Sequence, residues 1–302
     1  MALLLFGTLK ISASIFGIYN MHTRDYLVLS TPNLNFTYSY KNFKTYADLG
    51  YTYWKGRYYS KSELLLYQGY LKFQKSGLET KIGKILFLPG FPGLFNPFCT
   101  GHLFETISTK WEGEKGIFVR HTSPLASIVF FLNFPKSFEE PRYTFQISKS
   151  TGRFETGIYS NFWPEPGLGL FTAYYGNTTI KIQGLKRDTS YKFSAQLECK
   201  IREVMPSIWL YYTNNKEMFP LPGFILLTDK IAAIELKFPE RVFEVPYILI
   251  LYDISNKIPI ALLDLRLIFG NSIFLESGLV LVKHNKEYNS SVFCGANFSK
   301  AF

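Results

Sequence analysis

The sequence predicts an all-β protein built from β-sandwich domains in tandem, and three observations predict it. Short stretches in which apolar and polar residues alternate recur along the chain, which is the pattern of half-buried strands. Phe and Tyr, which favour strands, dominate an aromatic fraction of 18%. Clusters of Gly, Pro, Asn and Ser separate the alternating stretches at near-regular intervals, as they do in sandwiches.

The strand pattern is clearest in the middle of the chain. Residues 127–134 form a continuous apolar run that ends at Pro135. In residues 143–148, aromatic and aliphatic side chains alternate with Thr, Gln and Ser. The same reasoning predicts further strands at 154–159, 170–175, 178–182 and 191–198.

A pattern repeats along the chain at an offset of about 100 residues. Segments 134–152 and 238–257 share Phe-Pro, then Phe-Glu-x-Pro, an alternating strand and a polar turn. A repeat of domain length predicts tandem modules, each with its own core. The predicted organisation is an apolar N-terminal arm or strand at 1–20, a β-rich aromatic and basic domain at 21–110, and sandwich modules at 111–205 and 206–302.

Residues 182–193 carry a more specific signal, because a strand, Gly184-Leu185, a turn, Thr189-Ser190-Tyr191 and an alternating strand follow one another. This order resembles the E–F corner of fibronectin type III domains. The resemblance implies immunoglobulin-like sandwiches, jelly-roll or fibronectin type III-like. It also implies a tyrosine-corner role for Tyr191, whose ring would pack inward while its hydroxyl returns to the backbone. The chain departs from the family at Arg187, where Pro is usual, and it lacks the family's Trp on the second strand.

The first twenty residues are apolar but are interrupted by Lys10. The run is too short and too broken for a transmembrane helix, so no membrane span is predicted. Its alternation from Ile11 to Tyr19 leaves two interpretations open. The segment is either an arm that docks on the sheet edge of a neighbouring subunit or the first strand of the chain's own fold.

The sequence lacks the patterns that carry catalysis. The four histidines are isolated, and no HExxH, GxSxG or phosphate-binding glycine motif occurs. The chain is therefore predicted not to be an enzyme and to hold no cofactor or metal. Cys99, Cys199 and Cys294 are far apart, so we expect buried thiols rather than a disulfide framework, although the sequence leaves their disulfide state open.

The strongest candidate for binding is the stretch 51–61, where aromatic side chains interleave with cations. Such rings face a core, form an assembly interface, or stack on sugars or bases. The candidate ligand or interface residues are Tyr51, Tyr53, Trp54, Arg57, Tyr58 and Tyr59. Four N-x-S/T sequons add candidate glycosylation sites at Asn35, Asn177, Asn289 and Asn297.

Charge and composition complete the functional prediction. A formal charge of +10 favours anionic partners, and a charged fraction of only 19% is typical of a protein in an assembly. We therefore predict a non-enzymatic structural or interaction protein of a multi-subunit surface assembly, most concretely a virion capsid, vertex, turret or spike component. It would form homo- or hetero-oligomers with other structural subunits, on a virion or extracellular surface. The alternatives are a glycan-binding or adhesive cell-surface protein and a basic nucleoprotein component, of which nucleic-acid binding is the less favoured.

Overall fold

The computed structural model describes residues 7–21, 23–58, 60–91, 95, 113–134, 141–162, 166–221, 224–238, 244–269, 272–284 and 287–301. For residues 54, 220, 244–246, 268, 284 and 301 it describes the backbone alone. Residues 1–6 of the predicted arm, Tyr59 and Cys99 lie outside the described residues.

Strands dominate the described chain. In order they are β1 (Gly7–Asn20), β2 (Asp25–Tyr40), β3 (Phe43–Gly56), β4 (Ser60–Lys75), β5 (Leu78–Ile85), β6 (Glu114–Thr122), β7 (Ser127–Phe134), β8 (Arg142–Thr151), β9 (Phe154–Asn161), β10 (Gly167–Tyr175), β11 (Thr178–Arg187), β12 (Ser190–Cys199), β13 (Met205–Leu221), β14 (Phe224–Lys237), β15 (Glu244–Asp253), β16 (Ile258–Phe269), β17 (Ile273–His284) and β18 (Glu287–Ala301). The sequence located the strands of the middle region correctly, since β7 to β12 contain all six predicted stretches. No helix in the described part of the chain is long and apolar enough to cross a membrane.

The sheet closes on itself. Each strand pairs antiparallel with its neighbours in sequence, in an 18-stranded order. β1 also pairs with β18, so that Ile11 lies opposite Leu34 on one side and Lys300 on the other. Residues 7–20 are therefore a strand of the chain's own sheet. Closure satisfies the backbone donors and acceptors that an open sheet would leave at its two edges.

Because the strands alternate in direction, the barrel has two different ends. One end holds both chain termini and is called the terminal end. The other, called the far end, holds the connection between β5 and β6, residues 86–113, which is by far the longest. The remaining connections have two to seven residues, as adjacent antiparallel strands allow.

The two faces of the wall differ in chemistry over much of the barrel. Outward positions carry large apolar side chains that are exposed, such as Ile15 (58%), Leu170 (59%) and Ile250 (47%). Inward positions next to them carry buried residues, many of them polar, such as Ser14 and Ser194. Because side chains in a strand alternate between faces, this arrangement produces an apolar belt around the outside. Outward lysines lie close to strand ends, at Lys55, Lys75, Lys186, Lys283 and Lys300.

The inner face is not uniformly polar. A buried apolar cluster covers it from β13 through β18 to β1 and β2, and Leu249, Leu251, Leu262 and Phe293 within it have no exposed surface. Strands in this sector are therefore apolar on both faces, which makes them look like buried sandwich strands in the sequence.

The prediction of tandem immunoglobulin-like, jelly-roll or fibronectin type III-like sandwiches is wrong. A sandwich buries its apolar face between two sheets, whereas one closed sheet here includes strands from all four predicted segments and turns its apolar face outward. Tyr191 illustrates the difference. Its ring is 48% exposed and lies next to Lys186 on the outside, instead of filling a corner of a core.

The repeat at an offset of about 100 residues has a simpler origin than tandem modules. Its two copies place an alternating strand at β8 and at β15, which are separated by seven steps along the sheet. Since each step reverses the chain direction, β8 and β15 run in opposite directions and are not equivalent parts of two modules. Hairpins of similar composition recur throughout an up-and-down barrel, and two of them matched by chance.

Close packing inside the wall makes one glycine critical. A Cβ on Gly278 would overlap the ring of Phe293 and the carbonyl oxygen of Leu263. We expect Gly278→Ala to lower the free energy of unfolding by about 1–3 kcal/mol, because overpacking displaces groups that cannot move freely. Gly184→Ala is the matched control, since the nearest atom to its Cβ is the Lys192 carbonyl oxygen at 3.8 Å. Urea unfolding in detergent measures both variants, and equal stability of the two would contradict this packing argument.

Candidate functional site: the barrel interior

The described part of the long β5–β6 connection enters the barrel. Residues 86–91 together with Phe95 are called the inner strap. Phe87 packs against Phe118 and Phe131 at ring-centroid distances of 5.6 and 5.5 Å. Phe95 packs against Trp209 at 6.0 Å, on the inner face of β13. The strap therefore joins two distant sectors of the inner wall.

The described residues of the strap follow the inner face of the wall from β6 towards β13. Phe87 contacts β6 and β7, and the Gly90 amide donates a hydrogen bond of 3.4 Å to Gln146 Oε1 on β8. Phe91 contacts β10 and β11, and Phe95 contacts β13. The strap therefore narrows the passage along this side of the interior.

Gln183 on β11 attaches the middle of the strap. The Phe91 amide donates a hydrogen bond of 2.7 Å to Gln183 Oε1, and Gln183 Nε2 donates one of 3.2 Å to the Phe91 carbonyl. Gln183 and Phe91 are 2% and 4% exposed. The side-chain amide thus replaces the partners that a neighbouring strand would supply, in a place where water does not reach. The Phe91 ring lies edge-on to Phe171 at 5.1 Å.

A group of cations called the basic wall lines the inside of β3 to β6. Lys44, Lys72 and Lys81 are successive cross-strand neighbours, and Arg120 lies opposite Glu79 on the next pair of strands. Glu79 is the shared partner, with Lys81 at 2.9 Å, Lys72 at 3.3 Å and Arg120 at 3.9 Å. These four cations outnumber two carboxylates on the same inner face, Glu79 and the buried Asp48 of β3, so this surface is net positive.

Aromatic rings support the basic wall. Tyr46 and Tyr70 stack at 5.1 Å, and the Lys81 ammonium lies 5.3 Å from the Tyr70 ring and 5.0 Å from the Phe118 ring. The Arg120 guanidinium lies 5.2 Å from the Phe118 ring. These contacts favour defined positions for the cations on the inner face.

Buried carboxylates lie across the barrel from the basic wall, on β14 to β17. Arg266 Nε donates hydrogen bonds to Asp264 Oδ2 at 3.1 Å and to Glu276 Oε1 at 3.0 Å. Glu235 accepts a hydrogen bond of 3.0 Å from Trp209 Nε1. The interior therefore carries positive charge on one side and buried, partly compensated negative charge on the other. Among the described residues, no group of three His, Cys, Asp or Glu side chains is arranged to hold a metal ion.

The structure separates the aromatic and basic residues that the sequence grouped together. Tyr51 and Tyr53 lie on the outside of β3, 45% and 37% exposed. Arg57 and Tyr58 follow β3 at the far end, where the guanidinium lies 5.2 Å from the Tyr58 ring and 3.7 Å from Asp25. The side chain of Trp54 and all of Tyr59 lie outside the described part of the chain.

The four sequon asparagines occupy different surroundings. Asn177 is exposed in the β10–β11 turn, whereas Asn35, Asn289 and Asn297 are half-buried in strands. Asn35 Nδ2 donates a hydrogen bond of 2.6 Å to the Tyr46 hydroxyl inside the barrel. The expectation of buried thiols also fails for the two described cysteines, since they are free with Cys294 exposed and Cys199 only partly buried.

Sequence reasoning missed the residues that shape the interior. The basic wall comes from β3, β4, β5 and β6, so its members are neighbours only across strands, and only knowledge of the strand register places them together. The sequence did contain one signal. In each alternating stretch the polar residues share one side of the strand, and together they form a second surface with a different chemistry from the apolar one.

Comparison with known proteins identifies the fold. No protein-family model and no curated protein sequence matches the chain. Among solved structures, it is similar to OccK5 (OpdH) of Pseudomonas aeruginosa, with a TM-score of 0.71 and 9% identity over 99% of each chain. It is also similar to the outer membrane protein OpdK of Pseudomonas aeruginosa, with a TM-score of 0.64 and 8% identity over 98% of this chain and 99% of that one. A mutant of the Rh. blastica porin gives a TM-score of 0.59 and 8% identity over 98% of this chain and 100% of that one.

The fold is that of a porin barrel. This likeness extends over nearly the whole chain. It overturns the prediction of a virion capsid, vertex, turret or spike component, which depended on sandwich modules, and it leaves the adhesive and nucleoprotein alternatives without support.

The predictions of no membrane span and of a virion or extracellular location are also wrong, because the matched folds are those of outer-membrane barrels. A long continuous apolar run is the sequence signal of a helix that spans a membrane. A strand that faces lipid on one side alternates instead, and its signal per segment is much weaker.

Proposed function

We propose that the chain is an outer-membrane channel that lets small water-soluble solutes diffuse through its interior, with a preference for anions. The observation that carries the proposal is the inverted chemistry of the closed wall, apolar outside and largely polar inside. In a bilayer core every backbone polar group needs a partner, and a closed barrel is the one sheet that provides this. Strands here have 8 to 17 residues, and about 9–11 tilted residues span a bilayer.

The preference for anions follows from the basic wall. Four cations, Lys44, Lys72, Lys81 and Arg120, outnumber the carboxylates Glu79 and Asp48 on this part of the inner surface. The carboxylates across the barrel are buried, and Arg266 offsets two of them. Charged groups that line a passage focus the field along it and select ions of opposite sign. The interior therefore attracts anions more strongly than cations.

Reconstitution tests the proposal directly. We expect the refolded protein to insert into planar bilayers and to produce discrete conductance steps, with a reversal potential in a KCl gradient that indicates chloride selectivity. Electrophoretic migration that changes on heating would report the folded barrel independently. A folded, inserted protein that conducts no ions would refute the channel, and cation selectivity would refute the preference for anions.

The outer belt supports a second prediction. Leu170 lies on the outward face of β10 between Ile158 and Gly184 of the neighbouring strands, and it is 59% exposed. We expect Leu170→Arg to destabilise the barrel in a bilayer by about 2–4 kcal/mol, since charge is costly at the midplane. Thr151→Arg, at the end of β8, is the control and should change stability little. Unfolding from vesicles measures both, and equal tolerance of the two arginines would place the belt outside the lipid.

A further inference from the structure

The β13–β14 hairpin extends beyond the strands on either side of it. β12 pairs with β13 only along Ser207–Thr213, and β15 pairs with β14 only along Ile231–Lys237. Residues 217–221 and 224–228, called the tip, pair only with each other among the described strands. The tip therefore lies free of the wall at the far end.

The tip lies over the far-end mouth of the barrel. Its inward side chains are buried, and the Phe219 ring contacts Tyr211 at 5.4 Å and Phe95 of the strap at 6.2 Å. On the opposite rim, Arg57 and Tyr58 border a cavity of about 580 Å³ that Leu221 and Phe224 of the tip also line. The tip thus reaches from β13 towards the ends of β1, β2 and β3, and it leaves this open space beneath it.

One polar contact holds the β13 side of the tip in place. Glu217 forms an ion pair with Lys192 of β12 and accepts a hydrogen bond of 2.6 Å from the Tyr211 hydroxyl. Lys192 is 9% exposed. The ion pair therefore joins the base of the tip to the wall in a place with little water.

A second polar contact holds the β14 side. The Thr228 hydroxyl donates a hydrogen bond of 2.6 Å to Asp253 Oδ1 at the end of β15. Asn256 Nδ2 donates to Asp253 Oδ2 at 2.6 Å and to the Leu227 carbonyl at 3.0 Å. The contacts of Glu217 on the β13 side and the contacts of Asp253 and Asn256 on the β14 side are called the two latches.

A hinge lies directly beneath the latches. The pairing of β13 with β14 shifts between Tyr212 and Glu217, so that residues 213–216 face only Asp229 between the paired positions. Extra residues on one strand bend the hairpin and interrupt its ladder of hydrogen bonds. Thr213 is paired with Lys192 of β12, and the Asn214 side chain accepts a hydrogen bond of 2.7 Å from the Tyr191 amide and donates one of 2.6 Å to the Thr189 carbonyl. The dihedral changes of a rotation would therefore fall on the last two residues of the segment, Asn215 and Lys216.

We propose that the tip is a lid, held closed by the two latches, that regulates passage through the far-end mouth by turning about Asn215 and Lys216. This inference rests on the proposed channel function. The closed position is the one described above, in which the tip packs on the strap. In the open position both latches are broken, the cavity merges with the mouth, and the inward rings of the tip leave Phe95.

Two variants and a matched control test the lid in planar bilayers. The first variant, Glu217→Gln with Thr228→Val, weakens both latches. The second replaces residues 217–228 by a two-residue Asn-Gly turn, so that no tip remains. The control, Glu155→Gln with Thr156→Val, makes the same chemical changes near the terminal end, where Glu155 accepts a hydrogen bond from Tyr175 at 3.1 Å. Heat-modifiable migration confirms that each barrel is folded.

We expect the variant without a tip to conduct at least about two-fold more than the wild type, because a constriction at the mouth is removed. The latch variant should spend more time in its high-conductance state, and the control should match the wild type. If the wild type conducts and the folded variant without a tip conducts equally, the lid is refuted and the channel stands. If every folded protein is silent, the channel fails and the lid with it.

Discussion

Replacement of Gln183 by Leu is expected to release the inner strap and to raise the conductance of the barrel. The substitution removes both hydrogen bonds to the Phe91 backbone at a position that is 4% exposed. Each unpaired buried group costs about 1–3 kcal/mol, so the amide and carbonyl of Phe91 would favour a position in contact with water. Movement of the strap away from β11 would widen the passage that it narrows.

Two measurements check this expectation. Single-channel recording should show a larger conductance for Gln183→Leu than for the wild type. A cysteine at position 95, in a chain whose three native cysteines are replaced by serine, should react faster with a water-soluble thiol reagent when Leu is present at 183. Gln146→Leu is the matched control, because Gln146 makes one longer contact of 3.4 Å, with the Gly90 amide. Unchanged conductance and reactivity in Gln183→Leu would show that other contacts hold the strap.

Removal of charge from the basic wall is expected to abolish anion selectivity. The variant Lys44→Gln, Lys72→Gln, Lys81→Gln leaves Arg120 beside the carboxylates Glu79 and Asp48, so the positive excess of this surface is removed. The reversal potential in a KCl gradient should therefore move towards zero. The effect should be largest at low ionic strength, because the Debye length is about 10 Å at 0.1 M salt and charges on the wall are screened beyond it.

A control variant separates local charge from net charge. Lys149→Gln, Lys186→Gln, Lys283→Gln removes the same three charges from outward positions near strand ends, so both triple variants change the formal charge from +10 to +7 (10 − 3). We expect the control to keep the wild-type reversal potential. Equal shifts in both variants would mean that overall charge, and not the basic wall, sets selectivity.

The location of strands was accessible from sequence because it depends on local chemistry. The apolar run of β7 ends where Pro135 cannot continue a ladder, and the alternation in β8 and β12 shows the period of a pleated strand. The same patterns could not reveal what lies against each face. Alternation shows that Tyr143, Phe145 and Ile147 lie on one side of the strand. It does not show what that apolar side faces, because both a protein core and a lipid bilayer accept it.

The interior was less accessible for a related reason. Lys44, Lys72, Lys81 and Arg120 are far apart in sequence and meet only because four strands pair in one register. The strap was equally hidden, since Gln183 and Phe91 are 92 positions apart. Contacts at such distances depend on the closure of the whole sheet, which local propensity does not encode.

Local sequence therefore accounts for the strands, the tight turns and the division of each strand into two chemically different faces. The pairing of β1 with β18 decides what each face contacts, because it closes the sheet and makes one face the outside of a barrel and the other its inside. Once the sheet is closed, the apolar face of each strand becomes the belt and the polar face becomes the wall of a passage. The same alternation in an unclosed sheet would have turned its apolar side towards a second sheet, which is why the chain alone suggested sandwiches.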